Sequence, residues 1–246
     1  MTTMRVMIGM VLMTVLGVAA MMTPAPAAAA PLGTTRVVPS TAACQQRGMD
    51  ANVRCAVALV DRFLSAKGAN DVVRETVLVG PNTVGVWFNS DLSVRCGFSS
   101  LPPAFSTSLH YCDGITFVDL NLSFDRKIMT SRTLAVIVLT HESGHGLQER
   151  AGLDPVGASL SGTKVQLYQL ESSADCWAGV GTKWYVTQGL LPASAKTEGV
   201  KLMRSIGVED DGHGHGSASN RQRAFEAGYD QGSTACNALV GHNGVF

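Results

Sequence analysis

The sequence predicts an α+β domain, mostly helical with a small sheet and cross-linked by disulfides. Three observations predict it. Strand-like alternation falls in the first half of the chain and helical periodicity in the second, the order expected of α+β folds. All six cysteines follow an export-type N-terminal segment, and an even count in an exported chain reads as three disulfides. At 246 residues, 46% of them hydrophobic, the chain can bury one sizeable core, and two domains would be cramped. Lys plus Arg and Asp plus Glu each number 19, and no basic stripe occurs, so nucleic acid is not an expected partner. Charged residues make up only 15% and there are 26 glycines, which fits a loop-rich domain with disorder near the N-terminus only.

Residues 1–29 read as a signal peptide. Arg5 supplies a positive charge, residues 6–22 are uncharged and mostly apolar, and Ala27 with Ala29 place a cut before Ala30. The alternative is an uncleaved N-terminal anchor, for which the apolar run is slightly short, and only then would a membrane be a partner. No cysteine directly follows the apolar run, the first being Cys44, which argues against a lipoprotein. The expected location is therefore secreted or extracytoplasmic, or membrane-anchored with the domain outside the cytoplasm. Residues 30–43 read as a linker and 44–246 as the folded domain.

Among about 15 possible cysteine pairings, neighbouring pairs are expected first: Cys44–Cys55 and Cys96–Cys112, leaving Cys176–Cys236. A cysteine metal site is the weaker reading, since no C-x-x-C occurs.

A helix is expected over 51–67, where Val53, Val57, Val60 and Leu64 share a face and Gly68 ends the pattern. Residues 77–89 read as extended chain broken by a turn at Gly80-Pro81-Asn82, and LPPAF at 101–105 as a loop. Over 116–124, Thr116, Val118, Leu120, Leu122 and Phe124 alternate with Phe117, Asp119, Asn121 and Ser123, which predicts a half-buried strand. That strand either borders a cleft, where a peptide adds to it by β-augmentation, or lies inside the sheet. Ser131 is expected to cap a helix that passes through an apolar segment, 134–139, and stops at Gly152. Further helices are expected over 164–188, over 193–206 after Pro192, and over 218–228, with a glycine-rich loop, EDDGHGHGSAS, before the last.

The chemistry sits in LTHESGHGLQ, residues 139–148. His141 and His145 are four apart, so on a helix they lie about 40° apart and can converge on one ion. Glu142 follows at about 100°, on the flank of that face. From there it can reach an activated water without being a ligand, which is why H-E-x-x-H suits metal-assisted hydrolysis. Chance placement of the motif in this composition is expected at only ~0.4%. The competing reading is a helix with two incidental surface histidines. Gly144 and Gly146 cost a helix about 1 kcal/mol each relative to Ala, which is easier to understand if something approaches the backbone closely.

A catalytic zinc usually takes three protein ligands. The extended three-histidine pattern fails, because Gln148 and Ala151 stand where its glycine and histidine belong. In LESSADCWAG, Glu171 and Asp175 lie four apart on one helix face. Glu171 can complete a His₂Glu site, and Asp175 can accept the free N–H of a ligating histidine. The competing reading for this pair is a solvated acidic face. Cys176 is displaced by about 140° from Glu171 and is expected to point away, into a disulfide.

Several blocks together resemble the bacterial neutral zinc metallopeptidases of the YpfJ-like family. HESGHGLQ resembles its H-E-x-G-H-x-x-Q, and LESSADCWAGV its E-L-Q-A-D-C-x-A-G-V. CGF…HYCDGITFVDL resembles its C-G…Y-C-x-x-D segment, and HGSASNRQRAFEAGYDQGSTACN its closing block with H-G-[ST]-x-x-x-R. The likeness covers about 96–237; the chain up to about 89 is not clearly matched. It implies a zincin-like metallopeptidase domain with one Zn²⁺ per chain, held by His141, His145 and Glu171. It implies Glu142 as general base and makes His215 the candidate donor to the oxyanion. Arg221 falls six residues after His215, as in the pattern. Gly146 and Gly181 depart from it, as does the doubled GHGHG that adds His213, which a flexible metal-binding loop would also explain. The expected activity is hydrolysis of a peptide or protein substrate. The rival expectation is an exported zinc-binding scaffold without turnover, which would need no Glu142.

Overall fold

The computed structural model describes residues 34–79, 109–120, 122–207 and 215–241. In chain order the elements are β1 (Thr34–Arg36), a 3₁₀ turn (Ala42–Gln45), α1 (Met49–Ala66), β2 (Glu75–Val79), β3 (His110–Cys112) and β4 (Ile115–Asp119). Then follow α2 (Ser123–Met129), α3 (Arg132–Arg150), α4 (Pro155–Ser161), α5 (Lys164–Thr187), α6 (Ala195–Ile206), α7 (Ala218–Gln231) and α8 (Ser233–Leu239). The described chain is mostly helical with one small sheet. No helix among the described residues is long and apolar enough to cross a membrane.

The four strands lie in the order β1-β2-β4-β3, with β2 and β4 parallel and the outer pairs antiparallel. Cys112 pairs with Ile115 across a two-residue turn, Asp113-Gly114, and both turn residues have positive φ. That is the turn whose twist matches a hairpin, and Asp-Gly is a favoured sequence for it.

The strand expected over 116–124 ends at Asp119. The buried carboxylate of Asp125 accepts from the backbone N–H of Asp119 (3.0 Å) and of Leu109 (2.9 Å). The chain after Asp119 turns into α2, and Phe124 is exposed on it. Nor does β4 have a wet face. Val118 packs in the main core, while Phe117 and Ile115 join Val77 and Cys112 in a second cluster against Val156. Because β4 pairs on both sides, a peptide cannot add along it, and the cleft-edge alternative is corrected to an interior strand.

Thr34–Arg36, inside the stretch expected to be a linker, is strand β1 paired with β2, and Val37 is buried in the core. Apolar side chains and a partner strand therefore draw this part of 30–43 into the fold. The helices α2, α4 and α8 are additional to those predicted. The turn at 80–82, the loop at 101–105, Cys96 and His213 lie outside the described residues. Cys44–Cys55 and Cys176–Cys236 are bonded as expected, and Cys112 is also disulfide-bonded. Disulfides mark a protein of an oxidising, extracytoplasmic environment.

Helix α3 begins where Ser131 accepts from the N–H of Leu134 and ends before Gly152, whose positive φ of 83° lets the chain leave. Every residue from Ala135 to Gln148 is buried, which a polar-faced surface helix could not show. A capping box of Thr163 and Gln166 starts α5, which is buried along most of its length. The two helices meet at small residues: a Cβ on Gly144 would lie 2.9 Å from the Cα of Ala174. This close approach explains the glycine at 144. Gly146 has a separate cause: a Cβ there would overlap Val72 and lie 3.0 Å from the ring of Tyr111.

Candidate metal centre

The α3–α5 contact sets two side-chain pairs opposite each other, each four residues apart on its helix. His141 and His145 project from α3 with ring centroids 5.0 Å apart. Glu171 and Asp175 project from α5. Nε2 of His141 is 3.6 Å from one oxygen of Glu171, and Nε2 of His145 is 3.5 Å from the other. Ligand atoms of the three residues all lie within 4.8 Å of one another. Ligands about 2.0–2.1 Å from a tetrahedral zinc stand ~3.3 Å apart, so the donor set suits a divalent ion, and the three ligand atoms would draw together from separations of up to 4.8 Å to hold it. The three residues are buried but not sealed: His145 retains 9% exposure, Glu171 8% and His141 6%.

Behind each histidine stands a different partner. Nδ1 of His141 lies 2.9 Å from Oδ1 of Asp175, a close contact bent from the ideal hydrogen-bond direction. The same oxygen accepts a 2.7 Å hydrogen bond from the buried guanidinium of Arg221 on α7, which also lies 4.0 Å from Glu171. Nδ1 of His145 meets Oε1 of Gln148 at 3.1 Å, and Nε2 of Gln148 donates to the carbonyl of Leu170 at 2.7 Å. Asp175 thus lies against the imidazole of His141, and Cys176 is turned into its disulfide. Gln148 and Arg221 were not foreseen as parts of the site. The three-residue spacing after His145 is a signal for Gln148; for Arg221 the chain offers only its place in the closing block.

Glu142 sits beside the group without belonging to it, 5% exposed. Burial, helped by the charges of Glu171 and Asp125 and opposed by that of His141, pushes its carboxyl up to about 8. Burial lowers the pKa of His145. Burial also works against a charged His141, but the adjoining Asp175 and Glu171 outweigh it and carry this imidazole up to about 10. For Glu171, burial is overcome by His145, His141 and Arg221, which hold the carboxyl well below the usual range.

His215 is half-buried in the segment leading into α7, where Ser217 caps the helix by accepting from the N–H of Asn220. Gly216, next to it, faces the ring of Tyr168, three residues before Glu171 on α5.

Two expected results arise from these contacts. In the metal-free protein the raised pKa of His141 means a protonated ring at pH 7, whereas a metal needs the neutral ring. Uptake of a divalent metal at pH 7 is therefore expected to release at least one proton per ion, and affinity to weaken as pH falls. Titration calorimetry in buffers of different ionisation enthalpy measures the release; uptake without it would contradict the assignment. Asp175→Ala strands the buried cation of Arg221, so the metal-free variant is expected to lose ~3–5 kcal/mol in urea unfolding. A loss below about 1 kcal/mol would show that Arg221 finds water instead.

In comparisons with known proteins, two proteins named uncharacterized protein YpfJ are similar to this chain, one from Escherichia coli strain K12 and one from strain O6:H1. Each is 29% identical over 152 residues, 52% of this chain and 53% of the relative. The chain spans about half the length of the curated relatives it matches. No family model matches, and no solved structure matches.

Proposed function

We propose that the chain is an exported, zinc-dependent peptide hydrolase with His141, His145 and Glu171 as metal ligands and Glu142 as general base. The observation that carries the reading is Glu142: a buried carboxyl beside a His-His-Glu group, outside the ligand set, on the flank of the same helix. Two imidazoles and a carboxylate are a donor set that suits zinc with one position left open. When bound, the ion would polarise the scissile carbonyl and acidify a water. Glu142 takes the proton of the attacking water and passes it to the leaving amine; a carboxyl poised near neutral pH suits both halves of that task. Asp175 and Gln148 orient the two imidazoles. His215 is assigned as donor to the oxyanion, a contribution of about 3 kcal/mol for a well-placed donor. Its support is that Gly216, next to it, packs on the ring of Tyr168, three residues before Glu171 on α5.

The test is elemental analysis of purified protein together with digestion of a peptide library. One zinc per chain, cleavage, loss of cleavage with a chelator and its return with zinc are expected. Zinc bound without cleavage of any peptide would favour the scaffold, and no zinc would sink both readings.

A further inference from the structure

We infer that Gln148 is a positioning residue: its amide, locked by the carbonyl of Leu170, keeps the proton of His145 on Nδ1 and so presents Nε2 to the metal. The inference rests on the metal-centre reading above.

Gln148 is fully buried, so its amide is shut off from bulk water. One end lies 2.7 Å from the Leu170 carbonyl oxygen. Only the amide nitrogen can donate there; the flipped amide would set two acceptors against each other. The amide oxygen must therefore face His145, 3.1 Å from Nδ1. An amide oxygen only accepts, so Nδ1 carries the hydrogen. A neutral imidazole has one such hydrogen, which leaves a lone pair on Nε2. Nε2 is the atom 3.5 Å from Glu171.

The anchor is well placed. Leu170 directly precedes Glu171 on α5, so one amide ties the second ligand on α3 to the chain that carries the third. The two histidines are thereby supported in unlike ways. His141 is backed by a carboxylate already compensated by Arg221. His145 is backed by a neutral group, which orients the ring without adding another charge to a site that already buries Glu142, Glu171 and Asp175.

The test is Gln148→Met, close in volume but unable to accept from the ring or donate to Leu170. Zinc affinity, measured by competition with a chromophoric chelator, is expected to fall 10–100-fold, the order typical of lost outer partners, with stoichiometry unchanged. Long-range ¹H–¹⁵N spectra of the metal-free wild type are expected to show His145 protonated on Nδ1, and those of the variant a tautomer mixture. Undiminished zinc affinity in the variant, or a wild-type proton on Nε2, overturns the inference. Should the variant not fold, the wild-type tautomer still decides. Should wild type bind no zinc, the metal-centre reading fails while the same tautomer measurement continues to judge Gln148.

Discussion

Glu142→Gln is expected to retain one zinc per chain and to lose peptide cleavage by a factor of about 10² to 10⁴, the range typical of a removed general base. The substitution keeps the shape of the side chain and takes away only its capacity to accept a proton. Glu142 is not among the three residues whose ligand atoms converge, so metal content should not change. Stability gives an independent check. The carboxyl of Glu142 is pushed up to about 8 in the fold, so above its unfolded pKa the native state holds it at a cost that grows until pH passes about 8. Gln carries no such cost, and the metal-free variant should be as stable as wild type at pH 8, or more so. A variant that binds zinc, unfolds like wild type and still cleaves peptide at the wild-type rate would remove Glu142 from the mechanism. Loss of zinc together with cleavage would instead show that Glu142 helps to hold the ion.

Gly228→Ala is expected to be the most damaging glycine-to-alanine change among the described residues, since its Cβ would meet the closest obstacle. Local propensity predicts the opposite sign, since Ala is favoured over Gly within a helix by about 1 kcal/mol. Packing reverses it. A Cβ on Gly228 in α7 would overlap the carbonyl oxygen of Cys176 in α5, and one on Gly179 in α5 would overlap the carbonyl of Phe225 in α7. The obstacles are backbone, which cannot rotate aside, so the helices must separate. Separation also pulls Arg221 from Asp175 and loosens Phe225, which is fully buried. Overpacking alone costs roughly 1–3 kcal/mol, and straining the buried ion pair adds to it. The expected outcome is a fall in urea midpoint equivalent to more than about 3 kcal/mol, with weakened zinc binding. A variant more stable than wild type would mean that α5 and α7 are not held in backbone contact.

Much of the candidate site is legible without coordinates, because it is written at helical spacing. His141 with His145, and Glu171 with Asp175, are pairs four apart, and that separation alone puts each pair on one face. Gln148, three residues after His145, obeys the same rule and could have been read as its partner. Arg221 could not, since nothing local distinguishes a buried arginine from a surface one. The strand expected over 116–124 is present to Asp119 and gives way to α2 beyond it, and its expected wet face is absent for a related reason. Alternation reports one wet face, but β4 is covered on both, by the main core and by the cluster around Phe117. The hairpin before it was legible: Asp113-Gly114 between strand-forming residues is a turn signal.

The sequence by itself determined what can be encoded within a few residues: the helix that aligns two histidines, Glu142 on its flank, the cap at Ser131, and the cysteine after Asp175 that points away from the site. Only the tertiary structure decided that the faces of α3 and α5 meet, at Gly144 and Ala174, with Glu171 between the two imidazoles. It also decided that the amide of Gln148 turns its oxygen to His145, and that Arg221 compensates Asp175 from a third helix. The division has a physical cause. Periodicity and capping are properties of neighbouring residues, whereas the approach of two backbones depends on small residues far apart in the chain, whose meaning appears only once they touch.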